Sequence, residues 1–402
     1  MGDSMSTIIN ATTTNGVVIQ PDNSGSLVLQ TNNGTTALTI DTAQNATFAG
    51  TVAMSSSFLR NRIINGAMVV SQRNTTSSVT PASGDYTLDR WAVSLSQASK
   101  FTVQQNAGAV TPPVGFSNYL GITSSSAYSI TSGDFFYLKH AIEGFNTADL
   151  AWGTANAKTV TLSFQVYSSL TGTFGGSLEN SAYTRNYPFS YSIPVANTWT
   201  TISVTIAGDT SGTWIGATNG VGLRVNFGLG VGSTYSGTAG VWAAGDIVSA
   251  TGATSVVGTS GATFYITGVQ LEIGTSATPF ERRLYGQELI NCQRYCYRVA
   301  GNTNGHPVGS GFWSNSTLVA TCCKLSVSMR AAPTISYSAI GDVRFLDRDV
   351  AWRPATSSVV INEAGADNVN VGAVCSTGST QGFGTIFEIQ GSTSWFQFSA
   401  EL

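Results

Sequence analysis

Charged side chains are scarce in this 402-residue sequence: Asp, Glu, Lys and Arg together make up 10%, against about 25% in an ordinary soluble protein. The formal net charge of −3 and the pI near 5.4 give no long-range pull on phosphate backbones or acidic lipid headgroups. Nucleic acid and membrane surfaces are therefore not expected as partners. Histidine occurs only at His140 and His306, and the five cysteines are irregularly spaced. Cys292/Cys296 and Cys322/Cys323 lack the paired C-x-x-C spacing of zinc sites. Adjacent strand residues also point to opposite faces, so Cys322 and Cys323 cannot act together. No metal and no cofactor is expected, and the thiols read as buried and inert. An odd number of cysteines in a chain this long needs no disulfide framework. No run of about 18 apolar residues exists to cross a membrane. Met1 to Gly16 lacks the basic-then-apolar order of a signal peptide, so synthesis and assembly in a cytoplasm are expected.

What replaces charge is Ser, Thr, Asn and Gly, with 44 glycines, only 10 prolines and 10% aromatics. That mixture favours extended strands joined by tight turns, and the aromatics supply core material. Disorder as the main state is excluded by the same balance.

Over residues 1–57, short apolar runs such as Gly16-Val17-Val18-Ile19-Gln20, Ser26-Leu27-Val28-Leu29-Gln30 and Thr36-Ala37-Leu38-Thr39-Ile40 alternate with turn-forming stretches at a repeat of about ten residues. Strands this short cannot close a core alone. Winding identical copies around one axis solves this, so the segment reads as a shaft or attachment piece. Val18, Leu27, Leu29, Leu38 and Ile40 are its candidate contacts between copies.

Residues 58–280 carry many strand-like runs with a period of two, for example Thr159 to Tyr167, Thr200 to Ile206 and Phe264 to Leu271, and no intervening helical pattern. A β-sandwich, most simply a jelly roll, follows. Trp91, Trp199 and Phe264 lie at strand positions and are expected in its core. Residues 281–299 hold the one helix signal, with Tyr285, Leu289, Cys292, Cys296 and Val299 on one side; helix is expected to about Gln293, and Tyr285, Leu289 and Cys292 are further candidate contacts on a symmetry axis. Residues 300–402 read as a second, smaller sandwich, with Trp395 to Leu402 in a sheet.

In sequence order, Asn61-Arg62-Ile63-Ile64-Asn65-Gly66-Ala67-Met68, Leu88-Asp89-Arg90-Trp91, Tyr265-Ile266-Thr267-Gly268-Val269-Gln270-Leu271-Glu272-Ile273-Gly274 and Ala277-Thr278-Pro279-Phe280-Glu281 resemble a family of phage tail fibre and virion structural proteins. Tyr285-Gly286-Gln287-Glu288-Leu289, Cys292-Gln293-Arg294-Tyr295 and Met329-Arg330-Ala331-Ala332-Pro333-Thr334 continue the pattern. The resemblance implies a homotrimeric fibre in the virion, bound to other tail or baseplate proteins. Its middle domain would be a jelly roll similar to carbohydrate-binding modules, facing a host cell-surface glycan. It implies no catalytic site.

Sugar recognition needs flat aromatic faces for the apolar side of a ring and a few polar groups for its hydroxyls. Tyr183, Arg185, Tyr187, Trp214, Tyr235 and Trp242 lie in or beside Gly-rich, loop-like sequence and could supply both, although large aromatics also plug sandwiches and interfaces. Gly228 to Gly232 superficially resembles a phosphate loop, but no helix follows, so a glycine-rich turn is expected. Cleavage of glycans by two carboxylates would draw first on Asp134, Glu143, Asp149 and Glu179. Sequence spacing does not place any two of them across a cleft, and no G-x-S-x-G elbow occurs. The expectation is a binding and structural protein, not an enzyme.

Overall fold

The computed structural model describes residues 25–31, 34–48, 60–73, 77–376 and 379–402. The chain divides into two units, residues 1–58 and 59–402. In the first, β1 (Leu27–Thr31), β2 (Thr35–Ile40) and β3 (Ala46–Phe48) form a three-stranded antiparallel meander. Leu27 faces Ile40 and Leu29 faces Leu38, which in turn faces Phe48. Directly opposed residues share a face, so these five side chains form one apolar side. It is poorly covered: Leu29 is 43% and Phe48 50% exposed.

The second unit opens with a sandwich. Its strands in chain order are β4 (Tyr86–Leu88), β5 (Trp91–Leu95), β6 (Phe101–Gln105), β7 (Leu120–Ser124), β8 (Phe135–Glu143), β9 (Val160–Ser168), β10 (Gly172–Glu179), β11 (Arg185–Ile193), β12 (Thr200–Ile206) and β13 (Val221–Val231). Three short strands, β14 (Ser236–Gly237), β15 (Ala243–Ala244) and β16 (Ser249–Ala250), precede β17 (Thr263–Ile273). One sheet has seven strands in the order β15-β11-β10-β13-β8-β5-β4, the other five in the order β12-β9-β17-β7-β6. The period of two does what the sequence requires. On β9, Val160, Leu162, Phe164 and Val166 are buried, while Ser163, Gln165 and Tyr167 face outward. The core between the sheets includes Trp91, Phe136, Phe164, Phe189, Phe227 and Phe264.

The helix α1 (Tyr285–Gln293) ends at Gln293 although the apolar spacing runs on to Val299, and is followed by β18 (Cys296–Ala300). The remaining strands are β19 (His306–Trp313), β20 (Leu318–Lys324), β21 (Thr334–Tyr337), β22 (Val343–Leu346), β23 (Trp352–Ala364), β24 (Asn368–Cys375), β25 (Gly384–Ile389) and β26 (Trp395–Ser399). Where a second sandwich was expected, six of these close into a barrel in the order β19-β20-β24-β23-β22-β25, and β26 lies between β18 and β21 in a separate sheet. Closure follows because β25 pairs with both β19 and β22, leaving no open edge, and two register shifts bend β23 around the turn. Gly228 to Val231 belong to the end of β13 and are not the glycine-rich turn that their composition suggested.

The sandwich is joined through a buried polar network to the segments flanking the β18-β26-β21 sheet, which shares one core with the barrel. The Glu143 carboxylate accepts hydrogen bonds from Arg294 Nε at 2.9 Å, Arg294 Nη2 at 2.6 Å and the Tyr295 hydroxyl at 2.6 Å. Arg90 lies 3.7 Å from the Tyr295 ring centre and pairs with Glu401, which Arg73 also reaches at 2.8 Å. Arg330 donates to the carbonyls of Ala400, Glu401 and Asn219. Asn61 donates to Val269 O within β17 and Asn65 to Asp89 O between β4 and β5, and Gly66 is required because a Cβ there would lie 2.2 Å from Val269 O.

Candidate glycan-binding site

Four of the six residues singled out in the sequence converge. Arg185 and Tyr187 begin β11, Trp214 follows β12 on a loop, and Trp242 precedes β15. Trp152, on a fourth loop, completes the group. Trp152 and Trp214 meet at 4.9 Å, Trp152 and Trp242 at 5.3 Å, Trp214 and Trp242 at 5.5 Å, and Tyr187 and Trp242 at 5.1 Å, all edge-to-face. Each indole N–H is tied to the loops: Trp152 to Lys158 O at 2.8 Å, Trp242 to Ala207 O at 2.8 Å, and Trp214 to Asp209 Oδ2 at 3.2 Å. Arg185 grips the buried Asp209 through Nε at 2.9 Å and Nη2 at 2.6 Å, and the Asp209 hydrogen bond holds the guanidinium above its usual pKa. Trp152 is buried, whereas Tyr187, Trp214, Trp242 and Arg185 are half-buried. The result is rigid aromatic surface beside a fixed charged pair, with little side-chain entropy left to lose on contact.

Tyr183 and Tyr235 lie outside this cluster. Tyr183 is 40% exposed under the Arg224 guanidinium, 4.0 Å from its ring centre, and Tyr235 packs edge-on against Phe135 at 5.2 Å. Sequence reasoning missed Trp152 and Asp209, though Trp152-Gly153-Thr154 has the same Gly-beside-aromatic texture as the residues chosen. Trp91 and Phe264 are in the core as expected. Trp199 is not: it is half-buried on the outer face of the five-stranded sheet, against Tyr119 and Tyr167 at 5.5 Å each, with Tyr265 stacked on Tyr167 at 5.4 Å. Strand composition alone does not say which face a ring takes.

The four loop acids are dispersed. Asp134 accepts from the Thr131 hydroxyl at 2.7 Å, from Ser96 and from Tyr128; the Thr131 hydroxyl, against the opposing effect of burial, holds its carboxyl down at about 2. Glu143 is in the junction with the barrel, and Asp149 pairs with Arg62 at 2.6 Å. Glu179 is buried on the outer face of the seven-stranded sheet. Burial, then the neighbouring Asp246 carboxylate, pushes its carboxyl up to about 8.

Of the residues proposed to touch other copies, Val18 lies outside the described residues. Leu27, Leu29, Leu38 and Ile40 occupy one side of the meander, as above. Cys292 does not face another copy: it is fully buried within its own chain, because Glu288 and Cys292 form the docked side of α1, ahead of the buried Tyr295. Leu289 is half-buried; Tyr285 at 60%, Leu284 at 84% and Ile290 at 48% exposure form the outward side. His140 is buried, its Nε2 3.0 Å from Ile64 O, and its pKa is pushed well below normal by burial and then by Arg90. His306 is exposed and far from it in sequence. Among the described residues no group of three or more His, Cys, Asp or Glu is placed to hold a metal. A cavity of about 80 Å³ between residues 61–69 and 280–288 is well below the about 300 Å³ at which small-molecule pockets begin.

No family model matches the chain, and no curated protein does. Solved structures do match. The enzymatically active domain of tailspike protein 4 of bacteriophage CBA120 is 14% identical, with 54% of this chain and 22% of that chain covered and a TM-score of 0.29. A family 11 carbohydrate-binding module from Clostridium thermocellum in complex with a mixed-linked tetrasaccharide is 12% identical, covering 51% of this chain and 99% of that chain at a TM-score of 0.26. A carbohydrate-binding module in complex with beta-1,4-galactotriose is 9% identical, covering 54% and 99% at a TM-score of 0.27. This chain thus spans less than a quarter of the tailspike's length.

Proposed function

We propose that this chain is a structural protein of a phage tail fibre, a homotrimer attached to the virion through its N-terminal repeats, whose sandwich binds a host cell-surface glycan without catalysis. The observation that carries the reading is the convergence of Arg185 and Tyr187 on β11 with Asp209 and Trp214 on one loop and with Trp152 and Trp242 on two others. Half-buried rings can stack on the apolar face of a sugar, and the half-buried Arg185 guanidinium, held in place by the buried Asp209, can donate to its hydroxyls. The uncovered apolar side of the meander supports association of copies, since one chain alone leaves it wet. Three weak sites on one stalk then gain through effective concentration. The dispersal of Asp134, Glu143, Asp149 and Glu179 supports binding over cleavage.

The test is binding of the purified chain to an array of bacterial surface glycans, repeated with Trp214→Ala and Arg185→Ala. Loss of signal in both variants is expected, with the native fold retained by circular dichroism although the midpoint of each falls, since Arg185→Ala leaves the buried Asp209 unpaired. Full binding by both, or none by the unaltered chain, overturns the reading. A second reading, docking to another tail or baseplate protein, is favoured by one observation, the outward side of α1 at Leu284, Tyr285 and Ile290.

A further inference from the structure

We propose that the outer face of the seven-stranded sheet binds a divalent cation of the calcium class, held by oxygen atoms of Glu179, Asp246, Asn186 and Asn226. Three of these residues, Glu179, Asn186 and Asn226, are wholly buried, and each has a side-chain oxygen that meets no hydrogen-bond donor of the protein: Glu179 Oε1, Asn186 Oδ1 and Asn226 Oδ1. A buried acceptor left without a partner is costly because its lost hydration is not replaced, so three gathered on one face call for a common occupant.

The strand register brings them together. Glu179 lies directly opposite Asn186 across β10 and β11, and Ser177, two residues earlier, lies opposite Asn226 across β10 and β13. All are on the outward face. The two amides are oriented by what their N–H groups do. Asn186 Nδ2 donates to Gly245 O at 2.6 Å, and Asn226 Nδ2 donates to Ser177 Oγ at 3.0 Å and Glu179 Oε2 at 3.3 Å, which leaves both carbonyl oxygens free. The Asp246 carboxylate comes from the segment carrying β14 to β16 and lies within hydrogen-bonding reach of Glu179.

One proton shared between the two carboxylates would satisfy one oxygen and leave the amide carbonyls as they are. A hard cation of the calcium type takes about 6–8 oxygens at once, from carboxylates, amide carbonyls and water. A sugar does not reach the place, because the 236–250 segment lies over it. That segment is seated on the sheet by two glycines: a Cβ on either Gly175 or Gly228 would stand 2.5 Å from Ser249 Oγ. Two positive groups flank the site, Lys139, opposite Asn226 on β8, and Arg224, opposite Glu179 on β13. Arg224 is turned aside, donating to Asn180 O at 2.8 Å and Ser181 O at 3.1 Å. Their charge weakens the site, so the expected dissociation constant falls in the weakest class of calcium modules, about 10⁻⁴ to 10⁻³ M.

The test uses the full chain stripped with EDTA, titrated with CaCl2 by calorimetry and followed by thermal unfolding. One ion per chain and an upward shift of the midpoint with rising CaCl2 are expected, because a ligand of the native state alone stabilises it by mass action. Asp246→Asn, on an exposed residue that folding does not need, and the near-isosteric Glu179→Gln should each abolish both signals. No heat and no shift at about 10 mM CaCl2, roughly ten times the weakest expected constant, overturns the proposal. So does an undiminished response in either variant, since an ion held without the buried Glu179 would be a surface ion.

Discussion

Replacing Glu143 by alanine tests whether the sandwich and barrel behave as one body. Its carboxylate is almost fully buried and accepts from both Arg294 and Tyr295. In Glu143→Ala the buried Tyr295 hydroxyl loses its acceptor, which costs about 1–3 kcal/mol. Arg294 is 35% exposed and can rehydrate, so its share is discounted to about 0–1 kcal/mol. The sum, about 1–4 kcal/mol, lowers the midpoint by roughly 2–16 °C if the unfolding unit is the size of the sandwich. Calorimetry should also show one transition separating into two as the barrel loosens. Burial opposes ionisation of Glu143, but Arg294 and Tyr295 outweigh it and hold the carboxyl below its ordinary 4.5. With the folded value depressed, the contribution is present above that pH and lost as the pH falls through the lowered value. The gap between wild type and Glu143→Ala should therefore close in acid. A double-mutant cycle of Glu143→Gln with Tyr295→Phe should give a coupling above about 0.5 kcal/mol. An additive cycle, or a midpoint shift under about 1 °C, refutes the reasoning.

Gly175→Val should destabilise by about 1–3 kcal/mol through overpacking and speed hydrogen exchange over residues 236–250; unchanged exchange there would show that the segment does not rest on Gly175. Asp209→Ala should release Arg185 and Trp214 together, red-shifting tryptophan emission, and an unaltered spectrum would contradict the clamp. Asp134→Ala should lower the midpoint at neutral pH, with the difference vanishing as the pH falls toward 2, since the Asp134 carboxyl is held down at about 2; a pH-independent difference would assign its role to packing alone. Of the five thiols only Cys322 is exposed, and burial pushes Cys296, Cys323 and Cys375 each up to about 12. A thiol reagent should therefore modify one cysteine per native chain and five in denaturant; rapid reaction of a second would refute the buried placement.

Strand content, the helix end at Gln293 and the apolar side of the N-terminal meander were legible because periods of two and of 3.6 are local properties. Barrel closure was not, because it depends on β25 meeting both β19 and β22, far away in sequence. The aromatic cluster was half legible. Loop composition pointed to Trp214 and Trp242, but only the fold brings Trp152 and Asp209 to them. It also separates Tyr183 and Tyr235, which have the same local texture. Glu179 was singled out as an acid, while its amide neighbours come from strands whose pairing no spacing reveals. The motifs that carry the family resemblance lie mostly at the junction. Asn61, Asn65 and Gly66 brace β17 and the β4–β5 turn, and Arg90, Arg294 and Arg330 fasten the C-terminal half, so the most recognisable residues serve architecture and the proposed binding surface is left to less patterned loops.

The fastening of Arg73 and Arg90 onto Glu401, and of Arg330 onto Asn219, has a mechanical consequence. A pull or a twist applied to the C-terminal half is delivered to the sandwich through several charge-assisted bonds acting in parallel, which stiffens the joint between them. Whatever grips one half therefore sets the orientation of the other.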